Sequence, residues 1–306
     1  MEADLDRAFD AGEILRTHVL RPTWHFVAPE DLRWLLALTS GRIRRASAYQ
    51  YRLLEIDGPL AARARGVIEA ALEGGLSRTR EELGSDLRAA RIDATGVRLA
   101  YLVGDAELEA AICSGPRKGK RQTYALVDER VPPASPRSRD AALAELALRY
   151  VEGHGPAQVA DLAWWSGLTL TDARIALESA TPPLVRERVG ERTFYASAAA
   201  PAPVRSPIVH LLPNYDELLV AFRDRTDAFD PGLPADLRVA QVILGHVVVR
   251  NGLVVGRFRR RDEQASIRLD LDIAVPLDDG EREALGAGVG RFEAFVGRPV
   301  AVTGLD

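Results

Sequence analysis

Three short stretches hold the residue types that do chemistry. In ICSGPRKGKRQTYALV, residues 112–127, Arg117, Lys118, Lys120 and Arg121 fall within five residues between two apolar runs. Lys118 and Lys120 are the only lysines of the 306-residue chain, whose formal net charge is −4. Apolar runs around a glycine-containing tip predict a β-hairpin, and cations on such a tip can reach phosphate oxygens or a minor groove. The competing reading is a solvated turn; the concentration of positive charge on an acidic chain favours phosphate. A mononucleotide phosphate loop does not fit, because Gly115 and Gly119 stand one residue too close and Arg121 takes the place of the hydroxyl residue. In LRPTWHFV, residues 20–27, a strand would put Arg21, Thr23 and His25 on one face and Trp24 and Phe26 on the other. His25 is then either a titrating group of a site or a structural histidine beside a core tryptophan. In HLLPNYDELL, residues 210–219, His210, Tyr215, Asp216 and Glu217 follow an apolar strand. Asp216 reads either as a site carboxylate or as the N-cap of a helix.

Other chemistries lack their residues. Cys113 is the single cysteine, so neither an internal disulfide nor a cysteine-built zinc site can form. HExxH and GxSxG are absent, and GAGVG at 286–290 lacks the spacing of a dinucleotide fingerprint. The run Arg257, Arg259, Arg260 and Arg261 is offset by Asp262 and Glu263 and reads as a solvated strand end. AWWSGL reads as core packing of Trp164 and Trp165 around a tight turn. No apolar run is long enough to span a bilayer, and the acidic, amphipathic start is no signal peptide, so a cytoplasmic protein is expected.

These stretches must be positioned by a repeating scaffold. Residues 58–131 predict three helices and a hairpin: helical spacing from Gly58, a second helix capped by Ser77 or Thr79 with Glu81 or Glu82 in its first turn, and a third from Thr95. Residues 138–196 repeat the order, with Pro156 at the first position of the second helix, Thr169 or Thr171 capping the third, and a hairpin turning at Gly190. Helix-turn-helix followed by a β wing is the winged-helix arrangement. Residues 1–28 match only its third helix and wing. Residues 29–57 predict a helical connector, and 197–207 a Pro-rich linker. Residues 208–306 predict a small α+β, barrel-like domain with a hairpin at Asn251-Gly252 and a helix over 277–296. The fold class is therefore α+β: tandem winged-helix repeats with a C-terminal β-rich domain.

The segments ILRTHVLRPTWHFVAPEDLRWLLAL, GPRKGKRQTYALVDERVP, AWWSGL and HLLPNYDELLVAFRDR resemble the AlkZ/YcaQ-like family of bacterial winged-helix proteins, over essentially the whole chain. The resemblance implies duplex DNA, intact or damaged, as the partner and a monofunctional DNA glycosylase that removes alkylated or crosslinked purines without metal or small-molecule cofactor. It places His25 and Arg21 near an extrahelical nucleotide and Asp216 near the developing oxocarbenium charge. Arg117, Lys118, Lys120, Arg121 and Arg21 are the expected DNA contacts. The family's catalytic Gln-x-Gln or Gln-x-Asp is missing: Gln occurs at 50, 122, 158, 241 and 264, never with Gln or Asp two residues on. A missing N-terminal segment or a lost activity each accounts for this, so the sequence leaves two functions open. One is a glycosylase; the other is a noncatalytic DNA-binding or regulatory protein, for which base excision is weak or absent.

Overall fold

The computed structural model describes residues 2–199, 207–238 and 245–304. The chain opens with α1 (Glu2–Ala11), the hairpin β1 (Leu15–His18) and β2 (Trp24–Val27), and the long helix α2 (Pro29–Leu53). Next come α3 (Gly58–Leu72), the short β3 (Arg78–Thr79), α4 (Arg80–Ala89), α5 (Gly96–Leu108), the hairpin β4 (Ile112–Lys118) and β5 (Arg121–Leu126), and one turn, α6 (Val127–Arg130). The order recurs in α7 (Arg139–His154), α8 (Val159–Ser166), α9 (Leu170–Glu178) and the hairpin β6 (Val185–Val189) and β7 (Arg192–Ala196). The remainder is β8 (Val209–Leu212), the short α10 (Glu217–Val220), β9 (Val247–Arg250), β10 (Leu253–Asp262), β11 (Ile267–Ile273), α11 (Asp279–Val296) and β12 (Val300–Thr303). This is a tandem winged-helix chain with a C-terminal β-rich domain. Of the linker expected at 197–207, residues 200–206 lie outside the described ones.

Local chemistry accounts for the element ends. Thr79 caps α4 in a reciprocal box: its side chain accepts from Glu82 N–H, and Glu82 accepts from Thr79 N–H at 2.6 Å. Thr169 caps α9 by accepting from Asp172 N–H. Asn251 and Gly252 both take positive φ, 50° and 88°, as a two-residue hairpin turn requires. One expected end differs. The helix placed at Pro156 begins at Val159, because Ala157 is held in an isolated antiparallel bridge to Tyr195. That bridge occupies the place in the second repeat that β3, paired with β5, occupies in the first.

The chain divides into two compact units. One holds Asp4–Tyr150 and Ser166–Leu184. Its core packs α3, α4 and α5 through Ile68, Leu72, Leu83, Leu87 and Leu102, all essentially solvent-free. Each such side chain contributes about 1.5–3 kcal/mol on burial. In the β1–β2 hairpin, Leu15 and Thr17 are buried, so Arg16 and His18 share the opposite face. Leu20 takes φ 65° in the intervening bend, where its N–H donates to the buried Thr39 hydroxyl. Gly167 also has positive φ, and a Cβ there would lie 2.4 Å from the Leu20 carbonyl oxygen, which no larger residue allows.

The other unit holds Val151–Trp165 and Val185–Asp306, with Met1–Ala3. Its five-stranded sheet, ordered β12-β11-β10-β9-β8, curls into a half-barrel. The last pair is parallel, because α11 carries the chain back between β11 and β12. The tryptophans expected in a core are not wholly buried here. Trp164 is exposed and donates to the Val220 carbonyl, and Trp165 donates to Glu217. An indole N–H needs an acceptor, and these acceptors sit near the surface.

Candidate active site

The β1–β2 hairpin and α5 bring together the residues best arranged for chemistry. His18 ends β1 and lies directly across from Trp24, the first residue of β2, with ring centroids 5.1 Å apart. Glu107 sits in the last turn of α5 with 1% of its surface exposed, and its Oε2 lies 2.6 Å from His18 Nδ1. A carboxylate only accepts, so Nδ1 carries the hydrogen and Nε2 is the basic nitrogen of the neutral ring. A carboxylate at a helix C-terminus opposes the macrodipole and is costly to bury. Such a placement is characteristic of sites rather than of packing.

The pair lines a cavity of about 200 Å³ with aromatic walls from Trp24, Tyr51, Tyr101 and Tyr124. Its volume exceeds the roughly 150 Å³ that admits benzene, so it has room for one flat ring system. Burial, and then the negative charge of Glu107, push the Tyr124 hydroxyl up to about 12. Burial also raises Tyr51, which donates to Asp105 at 3.3 Å. Asp105 is itself held by Arg44 Nη2 at 2.8 Å. Both phenols therefore stay neutral across the physiological range and can donate hydrogen bonds.

The residues singled out from sequence are distributed differently. Arg21 and Thr23 lie in the bend before β2, not on the strand, so the expected common face with His25 does not form. His25 pairs with the buried Thr17, across the pleat from His18, and its Nδ1 lies 3.0 Å from the Thr23 carbonyl. Trp24, a core residue in one of the two readings of this stretch, is 42% exposed, and Phe26 on the same face is 69% exposed. They share the face of Arg16 and His18, their direct partners across the hairpin, while His25 and Val27 fall on the inward face with Thr17 and Leu15. Asp216 caps α10, its Oδ1 accepting from Leu218 N–H at 3.0 Å.

The basic wing tip is largely answered by carboxylates. Arg117 binds Asp6 at 2.7 Å and Asp10 at 3.1 Å, Lys118 binds Glu82 at 3.0 Å, and Arg121 binds Glu81. Lys120 is exposed and, among the described residues, has no carboxylate partner. Among the described residues no cluster of His, Cys, Asp and Glu could hold a metal ion. No helix among them is long and apolar enough to cross a membrane. The sequence did hold a signal for the site that was missed: in LRTH, the strand period alone puts Arg16 and His18 on one face.

No curated protein matches the chain. Among solved structures it is similar to the Streptomyces sahachiroi DNA glycosylase AlkZ, at 18% identity and a TM-score of 0.77, covering 98% of this chain and 84% of that one. That likeness supports the tandem winged-helix fold with its C-terminal β domain. The family profile described as DNA glycosylase AlkZ-like matches residues 1–295. The chain therefore belongs to the AlkZ-like DNA glycosylase family.

Proposed function

We propose that this protein binds damaged duplex DNA and hydrolyses the N-glycosidic bond of an alkylated or crosslinked purine at the His18–Glu107 cavity. The observation that carries the reading is a buried carboxylate held 2.6 Å from a histidine in an aromatic-walled cavity. A base turned out of the stack enters between the aromatic walls, which also exclude water from its leaving side. His18 Nε2 takes a proton from the attacking water as its oxygen bonds to C1′. The C1′–N bond breaks, and its electrons neutralise the cationic base, which leaves without further protonation. Glu107 fixes the imidazole orientation and stabilises the imidazolium that forms. In this reading His18 and Glu107 take the roles that sequence assigned to His25 and Asp216.

DNA contact by Arg21, Arg117, Lys118, Lys120 and Arg121 is part of the same proposal, with a graded weight. Arg117, Lys118 and Arg121 must exchange a carboxylate for phosphate, so each gains little. Lys120 has no such exchange to make and contributes a full phosphate contact. The test is release of free base from a duplex carrying one N7-methylguanine, followed chromatographically. The proposal expects stoichiometric release by the wild-type chain. The noncatalytic reading, favoured by the absent Gln-x-Gln, expects binding of the same duplex without release.

A further inference from the structure

We propose that Arg16 and Arg80 form a phosphate clamp at the mouth of the cavity, holding the DNA phosphodiester that flanks the nucleotide whose base enters it. The inference rests on the glycosylase reading for its geometry, but its own observations are separate. A cleft of about 290 Å³ adjoins the His18 cavity and shares Trp24, Arg80 and Tyr124 with it. Arg16 lines this cleft from β1, two residues before His18 and on the same strand face. Its guanidinium stacks on the Trp24 ring at 4.3 Å, which fixes the group in place. Its Nε is buried and has no acceptor. Arg80, the first residue of α4, is exposed at the same cleft.

Charge accounting sets these two arginines apart from the paired arginines elsewhere on the chain. The wing-tip arginines, Arg44, Arg149, Arg192 and Arg250 all have carboxylate partners. Among the described residues neither Arg16 nor Arg80 forms an ion pair. Within the cleft, Glu81 is matched by Arg121. Glu107 lies close enough to stabilise Arg16 electrostatically but is engaged by His18. Arg16 and Arg80 therefore bring two guanidiniums without an ion-pair partner to one cleft, among the described residues. A cationic cleft with a buried, unused donor calls for an anion with several acceptor oxygens, and planar guanidinium forks match phosphate. The third polar wall, Gln122, has a buried Oε1 without a donor among the described residues. It suits a water bridging to the same phosphate.

The test uses duplexes carrying a tetrahydrofuran abasic analogue, in which single phosphates around the analogue are replaced in turn by neutral methylphosphonate. Binding is read by anisotropy, so no base release is needed. The clamp predicts that one methylphosphonate next to the analogue weakens wild-type binding about tenfold or more. Arg80→Gln and Arg16→Lys should each lose most of that sensitivity at that one position, keeping it elsewhere. Arg16→Lys retains charge and packing, so loss of the footprint there reports the planar fork rather than misfolding; a circular dichroism melt accompanies each variant. Glu107→Gln should keep the full footprint, which separates this proposal from the catalytic one. Methylphosphonate losses equal in wild type and in both variants would overturn the clamp, as would the absence of any sensitive phosphate beside the analogue.

Discussion

Each of the two units contains a histidine paired with a glutamate beside a tryptophan, and the two pairs are built very differently. His18 and Glu107 are 2.6 Å apart, the carboxylate is 1% exposed, and Trp24 lies 5.1 Å from the imidazole. His154 and Glu217 are 3.3 Å apart, the carboxylate is half exposed, and Trp165 lies 5.4 Å from the imidazole. Glu217 also accepts from the Trp165 indole at 2.9 Å, so part of its capacity is spent on holding a side chain. Residue types alone do not distinguish the two. Burial does: a carboxylate removed from water interacts strongly with whatever stands beside it, while one in solvent is screened.

The largest difference should be catalytic. His18→Ala is expected to lower base release by about 10²–10⁴, the usual contribution of a positioned general base. His154→Ala should leave release within about threefold of wild type. Imidazole added to the solution should partly restore His18→Ala, which a purely structural histidine would not show. Similar losses in both variants would erase the distinction between the pairs.

Next comes a pH effect that reports the buried charge. Tyr124 ionises near 12 in the folded chain, against an ordinary value of 10, because it is buried and faces Glu107. A raised value means that the folded state holds the phenolic proton longer than the unfolded chain. The corresponding stability is fully present below pH 10 and is lost as pH rises from 10 toward 12. It amounts to roughly 2–3 kcal/mol for a shift of this size. Urea unfolding between pH 9 and 12 should show this decline in wild type, a shallower one in Glu107→Gln, and none attributable to this group in Tyr124→Phe. Glu217→Gln should follow wild type. Identical curves for Glu107→Gln and wild type would mean that Glu107 carries no charge at the cavity.

The smallest effect belongs to the wing. Lys120→Ala should flatten the slope of log affinity against log salt by about one, the contribution of a single phosphate contact on duplex DNA. Lys118→Ala should flatten it less, because Glu82 already neutralises Lys118. Neither should change folding stability by more than about 0.5 kcal/mol. Equal slopes in both variants and wild type would place the DNA away from the wing.

The scaffold was largely legible in the sequence because its signals are local. Thr79 with Glu82, Thr169, Asn251-Gly252 and Gly190 each fix an element end within a few residues. The site was not, because its parts meet only through tertiary packing. Glu107, in a stretch that reads as an ordinary helix end, is buried and meets His18 of β1, 89 residues earlier in the chain. The tip cations find their carboxylates 36 to 111 residues away, so a run that is basic in sequence is nearly neutral in space. The reading of Trp24 as a core tryptophan failed for the opposite reason: an aromatic residue suggests a core, but in β2 the inward positions are His25 and Val27, which leaves Trp24 outward.

The central claim is that the buried pair, and not the exposed one, carries the chemistry. It is tested most directly by single-turnover release from an N7-methylguanine duplex at saturating protein, with binding measured on the same samples. Glu107→Gln keeps the shape of the side chain and removes its charge. The account predicts a rate at least about 100-fold below wild type with duplex affinity unchanged, while Glu217→Gln matches wild type. Release by Glu107→Gln at the wild-type rate would contradict it.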